Sequence, residues 1–380
     1  MTSGRGALDY ATDSGRPSRP RRLGKVEKPR APRLGHGSNV PGGPPICQAS
    51  LSLALVNRPF IIVVLVVVVA LLLAGVAGPV AGQGLPPYAP INPVADSRTP
   101  LGFEPYHPAR ASGWRIGLAL DYASAVEYFQ AARASYVLDA ELLRLRLRVA
   151  RDLSPSVFVM ADAAAQGGYA GFLDGFLNWY HNLLGIRLEA RELRPSNSFL
   201  YQLVLPDGSV HTRRSSDLYL GDMHLAAGFR AGPHVQAIAT VALPTSTGPV
   251  GYGRGTVGWG IETTMRAPVA RPLVYEGSFG LGYTPAHGDL TDIQRTTFVS
   301  ASSGLRWRFW GRQSLYANLF YHSPYYHDTT IPALDRRELS LDFGWILATK
   351  RGAEWRIGLT EDPEPSGPAI DLVFRLGVSR

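Results

Sequence analysis

Residues 297–321 read T-F-V-S-A-S-S-G-L-R-W-R-F-W-G-R-Q-S-L-Y-A-N-L-F-Y. Val299, Ala301, Ser303, Leu305, Trp307 and Phe309 fall on one face of an extended chain. Ser300, Ser302, Gly304, Arg306 and Arg308 fall on the other. After the turn at Trp310–Gln313 the alternation resumes, with Leu315, Ala317, Leu319 and Tyr321 opposite Tyr316, Asn318 and Phe320. A hairpin with arginines behind a Leu-Trp-Phe face fits a wall between lipid and water, as in a transmembrane β-barrel.

The same period of two recurs on both sides of this hairpin. Trp114, Ile116, Leu118 and Leu120 alternate with Arg115, Gly117, Ala119 and Asp121. Leu143, Leu145, Leu147 and Val149 alternate with Arg144, Arg146 and Arg148; on a helix those arginines would be spread all round, so a strand is expected. Further strands are expected over 157–166, 218–231 and from Val235, then around Trp259, Phe279, Phe343, Trp355 and Phe374. The total is about twelve, an even number. Links after even strands are short (152–156, 231–234, 268–271, 310–313, 350–352). Links after odd strands are longer, around Tyr128 and over 167–216, 245–255, 285–295, 323–336 and 361–367. The expected fold is therefore all-β: an antiparallel up-and-down transmembrane β-barrel over 113–380, with one short amphipathic helix in a long loop.

The net charge of +8 does not belong to that barrel. Residues 1–58 hold ten Lys/Arg and three acids, which leaves +1 for everything after them. The basic balance is thus no argument for nucleic-acid binding by the folded part. This leader is rich in Pro, Gly and Arg and reads as disordered; a true start near Leu51–Val56 would make part of it an annotation artefact. Residues 59–82 read as a secretory signal cleaved near Ala81 or Gly82, with an uncleaved anchor as the rival. Residues 83–112 are proline-rich, cannot pair regularly in a sheet, and read as an extended periplasmic lead-in tucked into the barrel mouth. The single cysteine, Cys47, excludes an intramolecular disulfide framework.

The helix candidate is G-F-L-D-G-F-L-N-W-Y-H-N-L-L-G over 171–185, followed by a hairpin around Pro206-Asp207-Gly208. Phe172, Phe176, Trp179 and Tyr180 are expected to make it a loop plug. With the Leu220-Gly221-Asp222 start of the next strand, this stretch resembles an uncharacterised Gram-negative outer-membrane β-barrel family known only as a domain of unknown function (DUF3187-like). The resemblance covers Gly84 to the C-terminus. It implies a single outer-membrane barrel and brings no activity.

Parity assigns Arg115, Arg144, Arg146, Arg148, Asp222 and Arg230 to the lumen. It does the same for Arg306, Arg308, Asp342, Arg356, Asp371 and Arg375. Two readings stay open: a basic-tinged pore for a small anionic solute, or a mutually paired network that fills the inside. A rival class is a lipid-modifying hydrolase, for which His322, Ser323 and Asn318 are the candidate catalytic residues; a third is a surface adhesion or assembly component. Adjacent residues on a strand point to opposite faces, which argues against the hydrolase set and for a protein that is not an enzyme. His322, His327 and Asp328 are suitable metal ligands by type, yet a solvated loop is the plainer reading. No cofactor fingerprint appears. The expected surroundings are the outer membrane of a Gram-negative bacterium, its lipid and the barrel assembly machinery.

Overall fold

The computed structural model describes residues 84–110, 113–184, 191, 193–350, 352–364, 370 and 372–380. The expected leader and signal segment, and Asp371, lie outside the described residues.

The strands are β1 Trp114–Gln130, β2 Ser135–Asp152, β3 Val157–Tyr169, β4 Leu200–Val204, β5 Val210–Arg213, β6 Ser216–Leu220, β7 Met223–Arg230 and β8 Val235–Leu243. They continue as β9 Gly258–Ala270, β10 Leu273–Tyr283, β11 Thr297–Trp310, β12 Gln313–His322, β13 Glu338–Ala348, β14 Glu354–Glu361 and β15 Leu372–Ser379. Twelve of them form a closed antiparallel ring: β1 to β3, then β7 to β15. Pairing of β1 with β15, from Gly117 opposite Ser379 to Ser124 opposite Leu372, closes it. Closure removes the exposed sheet edges that an open sheet would leave.

Because side chains alternate along every strand, one register puts one set of residues outside and the other inside. Ile116 (53% exposed), Leu147 (48%), Trp259 (47%), Trp307 (49%) and Ile357 (57%) all face outward. So large an exposed apolar surface marks a wall that meets lipid or another protein.

The short links, 153–156, 231–234, 271–272, 311–312 and 349–353, all lie at one end of the barrel. Three of these turns use positive-φ backbone, at Gly232 (φ 126°), Gly311 (φ 51°) and Gly352 (φ 82°), which glycine adopts without a Cβ clash. The long loops share the other end. Two details depart from the sequence reading. The first strand does not stop short of Tyr128 but runs on to Gln130, so that β1 and β2 form a tall hairpin with its turn at 131–134. There β2 pairs with β4 instead of β3, and Tyr136 and Leu138 bury against Tyr201 and Leu203. The strand expected over 218–231 is broken into β6 and β7 at Gly221-Asp222. The Asp222 carboxylate accepts the backbone N–H groups of Ser246 (2.9 Å) and Arg254 (2.8 Å) and holds the chain out of the ladder.

Helices among the described residues include α1 Pro93–Arg98, α2 Asp174–Leu184 and α3 Pro332–Asp335, with a 3-10 turn at Thr291–Ile293. The first was not anticipated, although Asn92 caps it by accepting from the Ala95 amide at 2.6 Å and proline occupies its first turn.

Candidate functional site

The lumen is filled by residues 84–110. This segment enters at the short-turn end, climbs through Tyr88 to α1, turns beneath the long loops, and descends through Phe103 to His107. Its two limbs are tied by mutual backbone hydrogen bonds between Tyr88 and Phe103 (2.9 and 2.8 Å). Leu85, Tyr88, Ile91, Val94, Leu101, Phe103 and Tyr106 are all buried. The lead-in expected in the periplasm is therefore a plug.

The match between plug and wall follows from proline chemistry. Proline offers a carbonyl but no N–H, so a proline-rich strip is a row of acceptors short of donors. Arginine offers five donors and no acceptor. At the entry, Arg306 donates to the Gly84 carbonyl (2.7 Å) and pairs with Glu354 (3.0 Å). Arg356 donates to the Pro87 carbonyl (3.2 Å). Arg144 donates to the carbonyls of Ala89 (2.9 Å) and Pro90, and Arg375 lies over the Tyr88 ring at 4.7 Å. On the descending limb, Gln236 donates to the Pro105 carbonyl (2.7 Å), Arg115 to that of Pro108 (3.0 Å) and Arg230 to that of His107. The few plug amides find acceptors too: Leu85 N–H donates to Glu276 (2.9 Å) and Glu104 N–H to Glu262 (2.9 Å).

Steric seats complete the fit. A Cβ on Gly260 or Gly282 would come within 2.7 or 2.9 Å of the Leu101 side chain, and one on Gly304 within 2.7 Å of Leu85. Glycine at these inward positions lets the plug's leucines approach the wall's backbone.

Several of the remaining lumen charges pair among themselves and with the plug, while Glu338 is held by the Tyr325 (2.6 Å) and Ser340 (3.1 Å) hydroxyls. Asp121 takes Arg144 (2.8 Å) and Arg375 (3.3 Å), and Arg375 also meets Asp342 (3.4 Å). Asp162 takes Arg146 (3.5 Å) and Arg148 (3.0 Å), and Arg148 also reaches Glu104 of the plug. Asp152 takes Arg115 (2.8 Å) and Arg230. Such partners offset the cost of desolvating a charge. Of the residues assigned to the lumen by parity, Arg308 lies exposed beside the turn at 311–312, beyond the plug's reach.

The aromatic helix is not a plug. Phe172 packs on Tyr122 (5.6 Å) and Phe176 on Phe374 (6.1 Å), both on the barrel's outer face. Phe172, Phe176 and Trp179 remain exposed, and Tyr180 half-buried. The apolar side chains inside the barrel, such as Tyr316, Phe320 and Ile346, are instead covered by Leu85, Tyr88 and Phe103 of residues 84–110.

Nor does the structure bring His322, Ser323 and Asn318 together as a catalytic set. His322 is fully buried; its Nε2 shares a 2.6 Å hydrogen bond with Thr99 Oγ1 of the plug and its Nδ1 lies 2.6 Å from the Ser323 carbonyl. The Ser323 hydroxyl accepts from the Val299 amide at 3.0 Å. The Asn318 carboxamide makes no hydrogen bond among the described residues. His327 contacts only its neighbour Asp328 (2.8 Å) among carboxylates, and among the described residues no three His, Cys, Asp or Glu converge as metal ligands.

The sequence reading did not single out Arg98 and Thr99 of the plug, nor Arg254, Gln236 and Glu276, which contact it from the wall and loops. The Asn92-Pro93 capping signal and the buried-type residues between the prolines were the available hints.

A family model described as Protein of unknown function (DUF3187) matches residues 109–379. Among solved structures, the chain is similar to an outer membrane channel from Pseudomonas putida F1, at 12% identity and a TM-score of 0.47, over 70% of this chain and 95% of that one. It is also similar to the toluene transporter TodX of Pseudomonas putida, at 10% identity and a TM-score of 0.35, over 72% of this chain and 91% of that one. These likenesses carry no argument about cargo. Comparison with curated proteins gives no match.

Proposed function

Since this chain belongs to the DUF3187 family, whose matched region begins at the foot of the plug and runs through the barrel, we propose that it is an outer-membrane channel-type barrel held closed by its own N-terminal segment. The short turns then face the periplasm and the long loops face outward, as in bacterial barrels generally. Solute passes only when residues 84–110 move. The single observation that supports this most is the row of wall arginines donating to plug carbonyls from Gly84 to Pro108. These bonds are specific, numerous and individually modest, which suits a closure that is stable and reversible. The hydrolase alternative draws no support from the positions of His322, Ser323 and Asn318.

The test is single-channel recording in a planar bilayer, after heat-modifiable gel migration has established folding. The intact chain is expected to be silent, and a chain lacking residues 84–108 to give steady, salt-dependent steps. Equal, steady conductance in both would refute the closure.

A further inference from the structure

At the outer end the apex of the plug forms the floor of a cavity of about 380 Å³. Its walls come from the loops over 244–257 and 284–296 and from the β4–β5 hairpin. Gly248, Gly251, Gly253 and Gly255 leave bare backbone along one side, and Tyr201 and Tyr326 supply apolar surface.

The charges in this cavity do not balance. Arg98, Arg213 and Arg254 reach the lining against Asp222 and Asp289. Arg254 pairs with Asp222 (3.2 Å), and Arg213 donates to both oxygens of Asp289 (2.8 and 2.7 Å). Arg98 is left over. It is 1% exposed, and among the described residues no carboxylate lies within ion-pair distance of it. It donates instead to the carbonyls of Thr284 (3.1 Å), Pro285 (3.2 Å) and Arg295 (2.7 Å), and its Nε makes no hydrogen bond. The Nε of Arg254 is also without a partner, while its Nη2 holds the Thr99 carbonyl. The Arg98 guanidinium also lies over the Phe298 ring at 5.9 Å, but a buried guanidinium held by neutral carbonyls and an aromatic face still lacks a carboxylate counter-charge.

We propose that this cavity binds a small organic anion, a carboxylate or phosphate on a compact hydroxylated carbon body, with Arg98 as its counter-charge. A guanidinium prefers a bidentate anion to single carbonyls. Binding therefore draws Arg98 away from the loop carbonyls that fasten α1, and so loosens the apex of the plug; this second step rests on the closure proposed above. A ligand shifts such an equilibrium only by its differential affinity for the two states, and Arg98 supplies that difference.

The test uses the refolded full chain. Calorimetric titration with gluconate, glycerol phosphate and glucose is followed by the same additions on the loop side of a planar bilayer. At least one anion is expected to bind and raise the frequency of openings, with glucose inert; which anion does so separates carboxylate from phosphate. Arg98→Gln is expected to weaken binding about ten-fold or more, as loss of a charge-assisted bond implies. Val250→Trp, at an exposed lining position, is expected to block binding while leaving the chain closed. Absence of anion binding, equal binding of glucose, or unaltered binding by Val250→Trp would overturn the site. Binding to a closed chain that never opens would overturn the coupling. Steady conductance without ligand would instead contradict the closure.

Discussion

Arg144 shows what a single residue does in this lumen. It is buried, paired with Asp121, and donates to two plug carbonyls. Replacing it by methionine removes one partner of a buried network, a loss of about 3 kcal/mol. The expected result is an earlier urea midpoint for loss of the heat-modifiable form; an unchanged midpoint would count against the contact. Asp289 makes a second case, outside the wall. The hydrogen bonds from the Arg213 guanidinium and then from His211 hold its carboxyl well below the usual carboxylate range. A carboxyl with a depressed folded pKa stabilises above the unfolded value of about 4 and loses that contribution as pH falls further. The hydrogen-exchange protection of the β4–β5 hairpin, measured against the intrinsic rate at each pH, should therefore fall below about pH 4, and Asp289→Asn should remove that dependence. A hairpin indifferent to acid would contradict the anchor. That Arg144 points inward was legible from the period of two. Its carbonyl partners were not, because a distant acceptor leaves no mark on the sequence around its donor. Parity likewise placed Arg308 inward but could not show that the plug ends before reaching it.

Among elements, the strands were legible and the segments that cover or fill them were less so. Alternation fixes the face of a strand with no knowledge of its neighbours. An amphipathic helix such as α2 declares only that one side is apolar; lipid and a packed loop satisfy that side equally well. The apolar side chains inside this barrel are already covered by residues 84–110, and α2 lies outside, where Phe172 and Phe176 meet Tyr122 and Phe374. A spin label at Trp179→Cys in lipid should therefore be relaxed more by oxygen than by a water-soluble nickel complex, and the reverse would place the helix in water. The plug itself has neither period, since prolines interrupt both, so it read as an extended lead-in tucked into the barrel mouth. Its seats offer a separate check. Gly282→Leu puts a side chain where Leu101 rests and should raise spontaneous openings several-fold in bilayer recordings, whereas a silent variant would deny that Leu101 is seated there.

At the scale of the whole molecule, closure was legible because evidence of two kinds agreed: strand alternation and the sorting of short and long connections. Whether the lumen was open was not, since an arginine-lined wall serves an anion pore and a filled barrel alike. The proposed closure rests on complementarity between a donor-rich wall and an acceptor-rich, proline-laden segment. The central claim is that residues 84–110 occupy the barrel in the folded protein. Hydrogen exchange of the intact chain in lipid tests it most directly. The amides of Leu85, Tyr88, Phe103, Glu104 and His107 all donate inside the lumen. They are predicted to exchange as slowly as those of the barrel strands. Exchange at the rate of an unstructured chain, with the strands still protected, would contradict the account.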